Sequence, residues 1–372
     1  MASATSQQEF VVSCRFCPDV VEWCPHGHQD VLAWGTYVHE ESTGERRGAL
    51  IFARVDEVAA GEEASRKQFC LRQEAEVETA GVYDLAWHAA PSSMTAAEVE
   101  RPSSQGDFLV AACADGALRL FGVDGRILGE PYMLTGGTIL THVCWGAGDE
   151  SGLVAVGQDG GAHHLQLREG GALEVLVRRQ QHELETWCVE VSALDRNLVL
   201  TGADDSRLVG WDLRESATSP PAVSNRRAHE AGVTALACDP LKPHRLLSGS
   251  YDERVRLFDV RMLSGAPLAE SERLGDGAYH LAWHPEWGDV LAVAAMRSGF
   301  PLLSIVDDGV FKQIGGYAEN AAEDAHGSLG YGISWRSSAA SAGGAWMAVS
   351  ASFYDRSVHL WSVLMEGEGC AA

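Results

Sequence analysis

Asp204, Tyr251 and Tyr354 occupy one recurring setting. Each immediately precedes an Asp in the short runs GADD, GSYD and SFYD, and each run is flanked by apolar segments. Arg297 holds the same place ahead of Ser298 in AAMRSGF, and Ala114 and Gln158 hold it in two further copies. Trp187, His280 and Tyr331 open the apolar segments upstream of three of these turns. Aromatic faces gathered beside an acid can hold a quaternary ammonium by cation–π attraction. The plainer reading is ordinary surface polarity. Because these residues lie far apart in the chain, only an architecture that returns every copy to one rim can unite them.

That architecture is written most clearly from Leu246 to Asp259, LLSGSYDERVRLFD. Two short β-prone arms flank a polar turn, and the small residues Ser248-Gly249-Ser250 let backbones approach closely, which predicts a hairpin. An apolar strand, Val233 to Cys238, precedes it, with His229 upstream. The pattern of His, strand, turn Asp and aromatic-Asp is that of a WD repeat. It recurs at Leu198 to Asp212 behind Trp187 to Val191 and His182, and the His-to-Asp spacing is 23 residues in both copies. Further copies are Met347 to Trp361, Phe108 to Phe121, Leu153 to Leu165, Val290 to Ile305 and, most divergent, Val31 to Phe52. Leu165, Trp211 and Phe258 close successive copies 46 and 47 residues apart, near the period of roughly 40–45 for this repeat. Seven units predict an all-β fold, a seven-bladed WD-repeat β-propeller.

A blade cannot bury its faces alone, so one domain over residues 9–365 is expected despite the 372-residue length, with residues 1–8 and 366–372 as disordered tails. Phe10 to Cys14 is expected to complete the last blade beside Val358 to Trp361 and so protect its edge. Residues 91–106, Glu215 to Asn225 and Ala318 to Gly330 read as surface insertions, and Ser337 to Gly344 as a loop. A net charge of −24 argues against nucleic acid, which requires basic patches, and favours cationic partners. No apolar run is long enough to span a membrane, and MASATSQQEF lacks the regions of a signal peptide. Nine cysteines, an odd number mostly inside predicted strands, suit free thiols in a reducing compartment and hence a cytoplasmic location.

Cys14, Cys17, Cys24, His26 and His28 have zinc-ligand types at plausible spacings, but Cys24-Pro25 ends a strand as His284-Pro285 does, so no metal is assigned. There is no G-x-S-x-G, P-loop or H-E-x-x-H, and no cofactor is implied. His229 with Asp252, and likewise Asp115, Asp159, Asp205 and Asp355, are expected to brace the blades. Trp211-Asp212-Leu213-Arg214 and Phe258-Asp259-Val260-Arg261 resemble the motif by which WD-repeat substrate receptors dock on a cullin ubiquitin ligase adaptor.

The strings VEWCP, GTY, ETW, GADD with GWDLR, GSYDE, WHP with AAMRSGF, YGISW, and SFYD with HLW, in this order, resemble the diphthine methylesterase family, also called diphthine methyltransferase. The resemblance is densest from His182 onward and sparse from Ala53 to Gly137. It implies a hydrolase of diphthamide biosynthesis that removes the methyl ester from methylated diphthine, a modified histidine of translation elongation factor 2 that also carries a trimethylammonium group. Ester hydrolysis needs an activated water and help for the developing oxyanion. For that chemistry His280 is the expected base and Arg297 the oxyanion partner, with Trp187, Asp204, Tyr251, Tyr331 and Tyr354 around the cation. The competing reading is a non-catalytic scaffold or ligase substrate receptor.

Overall fold

The computed structural model describes residues 3–25, 27–58, 68–88, 107–168, 171–307, 309–317, 326–337 and 345–366. The expected insertion at 91–106, residues 318–325 of the next, the 338–344 loop and the tail from 367 lie outside them. Seven four-stranded antiparallel sheets form the seven blades. The strand nearest the axis in each is, in chain order, Cys17–Trp23, Val82–His88, Leu140–Trp145, Thr186–Val191, Val233–Cys238, His280–Trp283 and Gly330–Trp335. The one helical element among the described residues is a 3-10 turn, Val260–Met262.

Each blade buries its faces against its neighbours. The apolar side chains sort into seven clusters, each spanning two adjacent blades, and the cluster of Trp34, Val21, Leu360 and Val349 joins the first blade to the last. Repeated tryptophans bolt the same joints. The indoles of Trp145, Trp283 and Trp335 donate to the carbonyls of Ala86, Ala237 and Ala282 in the preceding blade at 3.1, 3.1 and 3.2 Å. Close approach also needs glycine: a Cβ at Gly202 would lie 2.5 Å from Val233, and one at Gly249 2.5 Å from the Ala278 carbonyl oxygen.

The ring closes where Ser3–Ser13 pairs with Ser357–Glu366. This is the closure expected from Phe10 to Cys14, but the strand is longer. Residues 3–8, read from their polar composition as a disordered tail, form ladder with Gln7 to Ser362 and Ser3 to Glu366. Ser6 donates to the Gly316 carbonyl at 2.6 Å and the Tyr317 hydroxyl to Gln8 at 2.9 Å. An edge strand can be polar when its partners are backbone, which is why composition misreads it. The expected insertion at Glu215 to Asn225 is likewise partly strand. Val223–Asn225 forms the outer edge of the fourth blade, and Asn225 Nδ2 donates to the carbonyls of Leu263 and Gly265.

The five turn aspartates all have structural partners. Asp115 pairs with Arg119, Asp159 with Arg178, Asp205 with His182, Asp252 with Arg256 and Asp355 with His326. In the fourth blade His182 Nδ1 donates to Asp205 at 3.0 Å, and Nε2 accepts from the Thr201 hydroxyl at 2.9 Å. Thr201→Val leaves that nitrogen buried and unsatisfied, so it is expected to cost about 1–3 kcal/mol in urea unfolding. In the fifth blade Arg256 takes the place at Asp252 expected of His229, whose Nε2 instead meets Ser248 at 2.8 Å.

Candidate functional site

A β-bulge recurs at the start of six inner strands, where the register slips between Pro18 and Val20, Val82 and Asp84, Leu140 and His142, Thr186 and Cys188, Val233 and Ala235, and Gly330 and Gly332. The extra residue leaves the pleat alternation, so a bulge re-aims its side chain. Here the bulge residues are Asp19, Tyr83, Thr141, Trp187, Thr234 and Tyr331, and every one lines a central cavity. Tyr279 fills the seventh position, and Asp84, His142 and His280 line the cavity one residue further along their strands.

Aromatic rings form a continuous belt at this mouth. Tyr83 stacks on Tyr37 at 4.6 Å between centroids, and Tyr37 meets Phe353 at 4.8 Å. Phe353 touches Tyr331 at 5.5 Å and Tyr354 at 5.0 Å, and Tyr331 meets Tyr279 at 4.4 Å. On the other side the Trp187 indole donates to Asp204 at 3.3 Å. Tyr251 stands beside Asp204, both touching the space above Gly232. Burial, reinforced by Asp204, pushes the Tyr251 phenol up to about 12, so it stays protonated.

The cavity is acidic without a compensating side chain. Its lining among the described residues includes Asp19 and Asp84 and neither lysine nor arginine. Asp19 is buried, its Oδ1 has no hydrogen-bond partner, and burial followed by the nearness of Asp84 holds its carboxyl well above the usual range. Burial pushes Asp84 up to about 8, although its Oδ2 accepts the Val143 N–H at 2.8 Å. Burial also holds His142 and His280 down to about 4, keeping both imidazoles neutral. A carboxyl raised in the fold contributes stability below its unfolded value and loses it as pH rises through about 8. The advantage of Asp84→Asn over the native chain is therefore expected to grow between pH 5 and pH 8, on the order of 1 kcal/mol per pH unit, as melting curves at the two pH values would show.

Trp187, His280 and Tyr331 thus share the cavity wall. Asp204 and Tyr251 stand at its rim, and Tyr354 is the exposed end of the belt at 69% accessibility. Arg297 is not in the wall. Its side chain is 78% exposed and lies 3.4 Å from Asp276, so the guanidinium is held outside the place an oxyanion could occupy. His280 is in the wall. Its Nδ1 accepts the Ile333 N–H at 3.4 Å, which leaves the proton on Nε2 and makes the ring a donor. Asp19, Tyr37, Tyr83, Asp84, His142, Tyr279 and Phe353 were missed. Counting back four residues from Trp23, Trp87 and Trp283 finds three of them, Asp19, Tyr83 and Tyr279, as it finds the already chosen Tyr331 from Trp335, and counting back three from Trp87 and Trp145 finds Asp84 and His142. Arg214 and Arg261 are exposed, each forked onto its own strand-end acid, Asp212 or Asp259.

Comparisons with known proteins agree with this architecture. Residues 222–259 match the family model described as WD domain, G-beta repeat. The diphthine methyltransferase of Mus musculus is 28% identical over 79% of this chain and 62% of its own length, and that of Schizosaccharomyces pombe is 26% identical over 90% and 91%. A diphthine methyltransferase homolog of Dictyostelium discoideum is 27% identical over half of each chain, 50% and 52%. The chain thus spans less than two thirds of the mouse relative and about half of the Dictyostelium one. A chain in the crystal structure of the mitotic checkpoint complex superposes with TM-score 0.66 at 16% identity, covering 95% of this chain and 91% of that one, a likeness of fold. The order of the repeats and the matches along most of the chain converge: this is a WD-repeat β-propeller, similar in sequence to the diphthine methyltransferases.

Proposed function

We propose that this protein acts in diphthamide biosynthesis and hydrolyses the methyl ester of methylated diphthine on translation elongation factor 2. The observation that carries the reading is the cavity mouth, where an aromatic belt meets buried acids with no lysine or arginine among the lining residues described. The substrate bears a fixed positive charge beside an ester. A quaternary ammonium cannot donate a hydrogen bond, so aromatic faces and nearby carboxylates are what recognise it. The named relatives supply the substrate class, and the two neutral imidazoles suit hydrolysis, since one neutral ring can take a proton from water while another donates to the oxyanion. The net charge of −24 adds long-range attraction for cationic ligands.

The test is purified protein mixed with elongation factor 2 carrying methylated diphthine. Stoichiometric methanol, with a loss of 14 mass units from the factor, about the weight of one CH₂, is the expected result. Binding of the factor with no methanol released would show a scaffold instead.

A further inference from the structure

We infer that His142, oriented by Asp84, is the general base of this site, and that His280 faces it as the hydrogen-bond donor for the oxyanion; the inference rests on the ester-hydrolysis reading above. Three residues of the cavity wall carry it. His142 Nδ1 is buried, makes no hydrogen bond within the protein, and faces Asp84 Oδ2 at 3.5 Å, an ion-pair distance. Asp84 is itself fixed, since the same Oδ2 accepts the Val143 backbone N–H at 2.8 Å. With Nδ1 turned to a carboxylate, the ring keeps its proton there, and Nε2, on the opposite edge, carries the lone pair toward the cavity that His142 lines. His280 has the complementary arrangement: its Nδ1 is taken by the Ile333 N–H, so Nε2 presents a hydrogen. Base and donor come from the third and sixth blades, on opposite sides of the channel, where His142 weighs electrostatically on His280. A base aided by an oriented carboxylate, facing a neutral imidazole donor, is the division of labour that ester hydrolysis requires.

The step balances without a further reactant. Water attacks the ester carbonyl carbon as His142 Nε2 takes its proton, forming the new C–O bond. The carbonyl oxygen becomes the oxyanion and accepts the His280 Nε2–H. Collapse breaks the bond to the methoxy group, and His142 returns its proton to that oxygen, releasing methanol. The carboxylic acid product then loses its proton to solvent.

The pair sets the pH dependence. The working form has an ionised Asp84 and a free His142 Nε2. Burial holds Asp84 protonated until about pH 8. Asp19 and Glu22 on the first blade lie near Asp84 and are held well above the usual carboxyl range by burial and then by that nearness, His280 faces His142 across the channel, and Cys144 with Glu190 lies on the third and fourth blades. The rate at low substrate is therefore expected to climb with pH and level near pH 8.

The experiment measures methanol release from methylated elongation factor 2 across pH 5.5–9, with tetramethylammonium quenching of tryptophan fluorescence as a binding control. His142→Ala and His142→Gln are expected to lower kcat about 10²–10⁴-fold with little change in KM. Asp84→Asn keeps an acceptor for the Val143 N–H, and is expected to remain folded while losing the rising pH limb. His280→Gln, which keeps an N–H donor, is expected to retain far more activity than His280→Ala. His142→Ala with native kcat, or Asp84→Asn with the native pH limb, overturns the inference alone. Native protein that quenches with tetramethylammonium yet releases no methanol overturns the esterase reading, and the inference falls with it.

Discussion

Asp252→Ala is expected to remove about 3–5 kcal/mol of folding stability, the cost of leaving a buried charge unpaired. Asp252 and Arg256 are each only 2% exposed in their side chains and meet at 2.9 Å. Asp252 also accepts the backbone N–H of Glu230 at 2.9 Å, which ties the loop entering the blade to the turn between its second and third strands. Arg256 would keep Glu270 at 2.7 Å, but that carboxylate is 39% exposed and bonds from the solvent side. The Asp252 carboxyl is held below its ordinary value: burial, the largest single influence, would raise it, and Arg256, the Glu230 N–H and His229 together outweigh burial. The accompanying change separates charge from shape. Asp252→Ala with Arg256→Met removes both charges and is expected to recover much of the loss, because a buried pair replaced by apolar groups is often close to neutral. Urea midpoints for the two single variants and the double variant, at unchanged slope, measure the coupling. A single variant within 1 kcal/mol of the native chain, about the cost of a surface pair, would show that water reaches the site.

The blade count was legible because each repeat needs the same few devices, and those devices fix residue types. Small residues at Gly202 and Gly249 mark where neighbouring backbones touch, and the turn aspartates mark where a cation or imidazole must be met. The mouth was only half legible. Trp187 and Tyr331 were found because they begin inner strands, whereas Asp19 and Tyr83 occupy the equivalent bulge unnoticed in blades whose repeats are divergent. Residues on one strand differ in role by a single step: Tyr279 belongs to the aromatic layer and His280 to the layer below it. Arg297 lies outside the cavity lining for a different reason. Its position in the repeat matches that of Tyr251, but its partner, Asp276, comes from the loop entering the same blade, and the approach of that loop is set only by folding. The polar start of the chain was misread because its ladder is made with a segment more than three hundred residues away, as Ser6 with Val363 shows.

The second large effect concerns the fixed charge of the proposed substrate. Trp187→Ala and Tyr331→Ala are each expected to weaken capture of a quaternary ammonium by roughly 5–30-fold, since a desolvated cation–π contact contributes about 1–2 kcal/mol. The loss belongs in KM, because neither ring takes part in the His142–Asp84 contact or the His280 hydrogen bond. Tyr354→Ala, at the exposed end of the belt, is expected to do less, about 2–5-fold, since water screens a cation there. Removing Trp187 also frees Asp204 from its indole hydrogen bond, so Trp187→Phe, which keeps the ring but not the N–H, separates the two contributions. If the ring face dominates, Trp187→Phe stays within a few-fold of native while Trp187→Ala does not. An uncharged tert-butyl analogue of the cation supplies the complementary comparison. It has nearly the same shape and no charge, so the native protein should bind it far more weakly, and the Tyr331→Ala variant should show little further loss. Equal loss for charged and uncharged ligands would mean that the belt provides apolar contact alone, whatever its faces offer a cation.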